Sequence, residues 1–178
     1  MTESVALLRG INLGAHHRVT MADLRAVFTA AGCEQLTTYI QSGNVVFTHP
    51  TSSPAQLERD LSAAVEASTG FPVPVVVRTG QEMAAVVRDN PFPEADTAML
   101  HVAFLGTEPP ANALDGLDLD AYAPERLAVV GRELYLHLPN GMGRAKLPQA
   151  LRALKAGQAT VRNWRTVTKL VELAGADE

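Results

Sequence analysis

Hydrophobic spacing changes period several times along the first eighty residues, and each change marks an element. Residues 4–8 (SVALL) are a short, mostly apolar run of strand length. A mixed loop follows over residues 9–19, longer than the usual strand-to-helix link, and long links often carry function. From Thr20 onward Leu24, Val27 and Phe28 recur at helical spacing. Thr20 with Asp23 resembles a capping box, and Gly32 is a C-terminal stop. Residues 35–41 (QLTTYIQ) and 44–48 (NVVFT) are β-rich around Ser42-Gly43, which predicts a hairpin with a two-residue turn. Residues 54–69 put Leu57, Leu61, Ala64 and Val65 on one helical face, and residues 73–77 return to a strand. The order β-α-β-β-α-β is the split βαβ, or ferredoxin-like, motif.

The second half repeats this pattern in part. Thr79 with Glu82 starts another capped helix. Strands are expected at 99–105, 126–130 and 133–138, the last two joined at Gly131-Arg132. A short helix is expected near 110–116, a further one around 147–156 and a final one over 163–174. This reads as β-α-β-β-α, with a helix where a fourth strand would come. The repeat is one of pattern, with no residue-level repeat.

Strand direction turns the first half into a statement about place. In a split βαβ unit the first two strands run parallel and the third returns beside the second. The loop after the first strand and the hairpin turn therefore share one edge. Arg9, Asn12, Arg18, Gln41, Ser42 and Asn44 should gather there, near the N-terminus of the first helix. Helix N-termini favour anions, and an arginine fork binds a carboxylate or phosphate with two hydrogen bonds. The plainer alternative is that Asn12, Gln41 and Asn44 cap turns and satisfy loop backbone.

Other segments carry weaker chemistry. Residues 140–146 (NGMGRAK) lie between a strand and a helix, a context that suits an anion cradle with Arg144 and Lys146 at its end. Its spacing is not that of a Walker loop, and the third glycine of the dinucleotide fingerprint is missing. A flexible connector is the alternative. Trp164, Val167, Val171 and Ala174 share a helical face and read as core. Arg162, Asn163, Arg165 and Lys169 leave in other directions and could reach a ligand. The five histidines show no ligand spacing, so no metal site is expected. No acid–base pair or nucleophile elbow is evident, which leaves catalysis open, and no cofactor is implied.

Composition adds limits. The chain has 178 residues, a net charge of −4 and 47% hydrophobic positions, as an ordinary globular protein does. Charge is unevenly spread. Residues 82–133 hold ten acids against three arginines, whereas residues 134–171 hold no acid and seven basic residues, from Arg144 to Lys169. That block is a local positive field, or a solvated face beside acids from elsewhere. The acidic total argues against a general nucleic-acid binder. The first strand also lacks the aromatic residues that RNA-recognition domains use for stacking. Cys33 is the single cysteine, so no intramolecular disulfide forms, consistent with a reducing cytosol. No apolar run is long enough for a signal peptide or a membrane span, and a cytoplasmic location is expected.

The run 8–14 (LRGINLG), followed by 21–25 (MADLR) and 38–47 (TYIQSGNVVF), resembles the bacterial domain of unknown function 1697 family. Residues 160–164 (TVRNW) with 166–170 (TVTKL) resemble its second signature. The resemblance implies a cytosolic α+β protein of two ferredoxin-like (β-α-β-β-α-β type) subdomains with antiparallel sheets, residues 1–79 and 80–178, the second ending in an extra helix. It implies no activity, cofactor or catalytic residue. Relatives tend to carry Gly-Lys where this chain has Ala15-His16, and often Ser near Ala145. If the family binds an anion, those departures leave Arg18 and Lys146 as remaining donors.

Three functions fit these features. The leading one is binding of a small phosphorylated or carboxylated ligand at the Arg9–Asn44 edge, to which residues 144–169 could contribute. The others are a protein-interaction or oligomerisation module, and a weak nucleic-acid binder through the basic block.

Overall fold

The computed structural model describes residues 1–51, 53–153 and 159–175. It divides into two compact units: Met1–Ala85 with the C-terminal segment from Lys169, and Val86–Thr168. No helix among the described residues is long and apolar enough to cross a membrane.

In the first unit β1 (Thr2–Leu8), β2 (Glu34–Tyr39), β3 (Asn44–His49) and β4 (Val75–Thr79) form an antiparallel sheet in the order β2-β3-β1-β4. Helices α1 (Met21–Ala30) and α2 (Pro54–Thr69) cover one face. Ala6, Leu8, Val45, Phe47, Val75 and Val77 meet Leu24, Phe28, Leu57, Leu61 and Val65 in a single core. Local chemistry sets the helix ends. Thr20 accepts the amide of Asp23 (3.0 Å) at the start of α1. Ser53 caps α2 ahead of Pro54, and Gly70 ends it with a left-handed backbone (φ 79°). β4 is an edge strand, and α2 satisfies two of its amides: Ser62 Oγ accepts from Val75 (3.1 Å) and Glu58 Oε1 from Val77 (2.9 Å). These bonds satisfy amides that an edge strand otherwise leaves open.

Helix α3 (Gly80–Arg88) starts on the expected capping box. Thr79 N–H donates to Glu82 Oε2 (2.8 Å), and Glu82 N–H donates to Thr79 Oγ1 (3.1 Å).

The second unit builds the same sheet from β5 (Leu100–Leu105), β6 (Arg126–Val130), β7 (Glu133–His137) and β8 (Ala159–Asn163), in the order β6-β7-β5-β8. Its core joins Ala103, Leu105, Leu134, Leu136 and Leu138 to Leu147 and Leu151 of α4 (Leu147–Ala153). Helix α5 (Trp164–Leu173) follows β8 directly, capped by Asn163, whose Oδ1 accepts from Thr166 (2.8 Å). Trp164, Val167, Val171 and Ala174 are buried, as their spacing requires.

Four expectations need correction. First, the second sheet does have a fourth strand: β-branched Thr160 and Val161 pair with Phe104 and Ala103, and the helix begins only after Asn163. Second, residues 110–116 form successive turns rather than a helix. Their bonds run three residues back (Ala113 to Pro110, Asp115 to Asn112), and Asn112, Asp115 and Gly116 are poor helix formers. Third, β2 and β3 are joined by four residues, 40–43, instead of two. The Asn44 side chain draws the turn in by donating to Tyr39 O (2.9 Å) and Ser42 Oγ (3.1 Å). Fourth, the repeat extends to residues. β1 and β5 match in register as Val5/Val102, Ala6/Ala103 and Leu8/Leu105, and Val77-Arg78 matches Val161-Arg162 opposite them. Of the helix expected over 147–156, residues 154–156 lie outside the described residues, as does Lys155 of the basic block.

Candidate functional site

Strand β1 ends between two neighbours. Leu8 N–H donates to Gly43 O (2.8 Å) on one side, and Arg9 N–H donates to Pro74 O (3.0 Å) on the other. The chain then makes a narrow excursion anchored by Ile11 and Val19, both buried in the first core. Asn12 clasps its base. The Asn12 backbone N–H donates to His17 O (3.0 Å), and its Oδ1 accepts from Val19 N (2.9 Å). Asn12 Nδ2 donates to both Val19 O (2.9 Å) and Gln41 O (2.8 Å). The loop and the hairpin turn therefore do share one edge, and Asn12 ties them together. His17 lies flat on Phe71, with ring centroids 4.2 Å apart.

The backbone here is unusual. Asn12 (φ 55°), His17 (φ 54°) and Ile40 (φ 48°) are three of the four non-glycine residues with positive φ among those described. Asparagine tolerates that conformation; isoleucine does not. Gly43 (φ 90°) is required for a second reason: a Cβ there would stand 2.8 Å from both Leu8 Cβ and Ile11 Cδ1. The turn is pressed against the loop, and only glycine fits.

The candidate residues separate by role. Asn12 and Asn44 spend their side-chain amides on backbone and on Ser42, and Asn44 is fully buried. They act as clasps. Arg18, Gln41 and Ser42 are exposed. Arg9 is half-buried, and its Nη1 is shielded from solvent without a hydrogen-bond partner among the described residues. A buried guanidinium nitrogen left in that state costs free energy.

Lys169, in the first unit, pairs with Glu172 (2.6 Å) on an exposed turn of α5. The remaining candidates belong to the second unit. Arg144 and Lys146 are exposed. The cradle that precedes α4 is not vacant, because Glu125 fills it: Oε1 accepts from Lys146 N (3.0 Å) and Oε2 from Leu147 N (2.8 Å). The chain supplies its own carboxylate from 22 residues upstream, which sequence spacing does not reveal. Arg162 is buried, donates from Nη1 to Val161 O (3.0 Å), and burial pushes its pKa down to about 10, so it stays cationic at neutral pH. Asn163 is spent on the α5 cap. Arg78, which occupies the equivalent position in the first sheet, shows the same bond to Val77 O (3.0 Å) and lies 3.6 Å from Glu58. Both arginines are parts of the architecture.

A family model described as "Protein of unknown function (DUF1697)" matches residues 1–135. No curated protein matches the chain. Among solved structures, the conserved bacterial protein SP0830 from Streptococcus pneumoniae is similar over 98% of this chain and 99% of its own. The TM-score is 0.80 and the sequence identity 25%.

Proposed function

The chain belongs to the DUF1697 family of proteins of unknown function, and we propose that it binds a small anionic ligand, phosphorylated or carboxylated, at the edge formed by the loop after β1 and the β2–β3 turn. The observation that carries this reading is Arg9, the residue that opens the loop after β1, whose Nη1 is shielded and has no hydrogen-bond partner among the described residues. Arg18 adds a second, exposed cation from the same loop. The clasp formed by Asn12 pre-organises the edge, so a ligand would meet a loop already held in place. The candidate residues of this edge include no carboxylate, and Asp23 at the start of α1 accepts from Thr20 Oγ1 (2.7 Å).

The test is a thermal-shift titration with inorganic phosphate, acetate, citrate and simple phosphate esters. A ligand present at about a hundred times its dissociation constant stabilises by about 2.7 kcal/mol, and Arg9→Ala should remove that shift. A shift that persists in Arg9→Ala would refute the proposed site.

A further inference from the structure

Two features of this edge are not explained by an anion alone. Ile40 combines a left-handed backbone (φ 48°) with a side chain that is 49% exposed. A β-branched residue is strained in that conformation, and its exposure gains nothing in return. Leu13, in the loop after β1, is 70% exposed. The bond from Asn12 Nδ2 to Gln41 O (2.8 Å) joins the two segments one residue away from each of these side chains. Single exposed apolar residues are common, but a strained and exposed isoleucine is unfavourable twice over.

The fold itself does not demand the strain, because among the described residues the second unit closes the equivalent edge without a left-handed β-branched residue, although Val129 and Val130 beside its turn are likewise exposed. There β6 and β7 are joined by Gly131-Arg132, and Leu105 N–H donates to Arg132 O (2.9 Å) as Leu8 donates to Gly43 O (2.8 Å). Positive φ falls on Gly131, where it costs little. Avoidable strain that persists is characteristic of ligand-binding segments.

We infer that the ligand is an amphipathic acid: a carboxylate or phosphate held by Arg9, carrying a short aliphatic or aromatic arm that covers Leu13 and Ile40. This rests on the anion site proposed above and narrows it. Arg9 and Arg18 match the head group; Leu13 and Ile40 match the arm.

The experiment is a calorimetric titration of the full chain with acetate, butyrate, hexanoate and octanoate, each below its micellar concentration, with hexyl phosphate beside hexanoate to compare head groups. Affinity should rise about two- to fourfold per added methylene. Ile40→Asn keeps a residue that tolerates the left-handed backbone, and Leu13→Ser leaves the turn untouched; each should at least halve that dependence on chain length. Equal affinity across the series, still lost in Arg9→Ala, overturns the arm while the anion site stands. A chain-length dependence that ignores Arg9→Ala, or no binding by any of these probes, overturns both.

Discussion

The two units solve one structural problem in two ways. In each, the last residue of the first strand, Leu8 or Leu105, donates its amide to the carbonyl of the turn residue beside it. In the second unit that residue is Arg132, in a two-residue turn, and its guanidinium reaches back to Gly106 O (3.4 Å). In the first unit it is Gly43, in a four-residue turn that contains the strained Ile40. There the adjoining arginine, Arg9, keeps a shielded nitrogen without a partner among the described residues. Both edges leave apolar side chains exposed, Val129 and Val130 in one and Leu13 and Ile40 in the other, but among the described residues only the first combines a shielded, unpartnered donor with a left-handed isoleucine. Because the two sheets share order and register, the difference is not a by-product of topology.

The contrast is most sharply tested at the turn. Gly43→Ala should destabilise the protein by about 3 kcal/mol, since it combines a positive φ with a Cβ 2.8 Å from Leu8 and Ile11. Arg132→Ala, at the matching register position, should cost about 1 kcal/mol, the scale of one weak hydrogen bond. Urea unfolding measures both, and similar losses would show that the two turns carry comparable constraints.

Next in size is Glu125→Ala, which uncovers the amides of Lys146 and Leu147 and should cost about 2 kcal/mol. The variant should also regain stability in sulfate beyond the general stabilisation that sulfate gives the parent chain. Equal salt responses would mean that the cradle before α4 holds its shape without an anion.

The smallest effect concerns Cys33, buried in the first core, where desolvation pushes the thiol up to about 11. Folded and unfolded chains both hold this proton below pH 9. Above it the unfolded thiol ionises first, so this group's contribution to stability falls as pH rises from about 9 to about 11. Iodoacetamide at pH 8 should label the native protein at least tenfold more slowly than the urea-unfolded chain. Equal rates would place Cys33 outside the protected core.

Much of the fold was legible because its signals are local. Thr20, Gly32 and the Thr79/Glu82 box each announce an element end within a few residues. Strand direction was enough to bring the loop of Asn12 beside Gln41. What escaped reading depends on distant partners. Glu125 takes up the amides of Lys146 and Leu147, just before α4 and at its start, from 21 and 22 residues away. The last strand, Ala159–Asn163, was hidden by its direct run into α5, which made Thr160, Val161 and Arg162 look like a helix approach. The residue-level repeat was masked by loops of different length, although Val-Ala and Val-Arg recur at matched register. Nothing in the segment Tyr39-Ile40-Gln41 signals a left-handed isoleucine; its composition is that of a strand. The division of the candidate residues into clasps and unspent donors could be read only from hydrogen-bond geometry.

The most direct measurement sets the two edge arginines against each other. Hexanoate binding is determined by calorimetry for the parent chain, Arg9→Lys and Arg132→Lys. Lysine keeps the charge but loses the planar fork, so Arg9→Lys should weaken binding tenfold or more, while Arg132→Lys stays within twofold of the parent. Equal affinities in all three proteins, or an equal loss in both variants, would contradict a ligand site at the edge of the first unit.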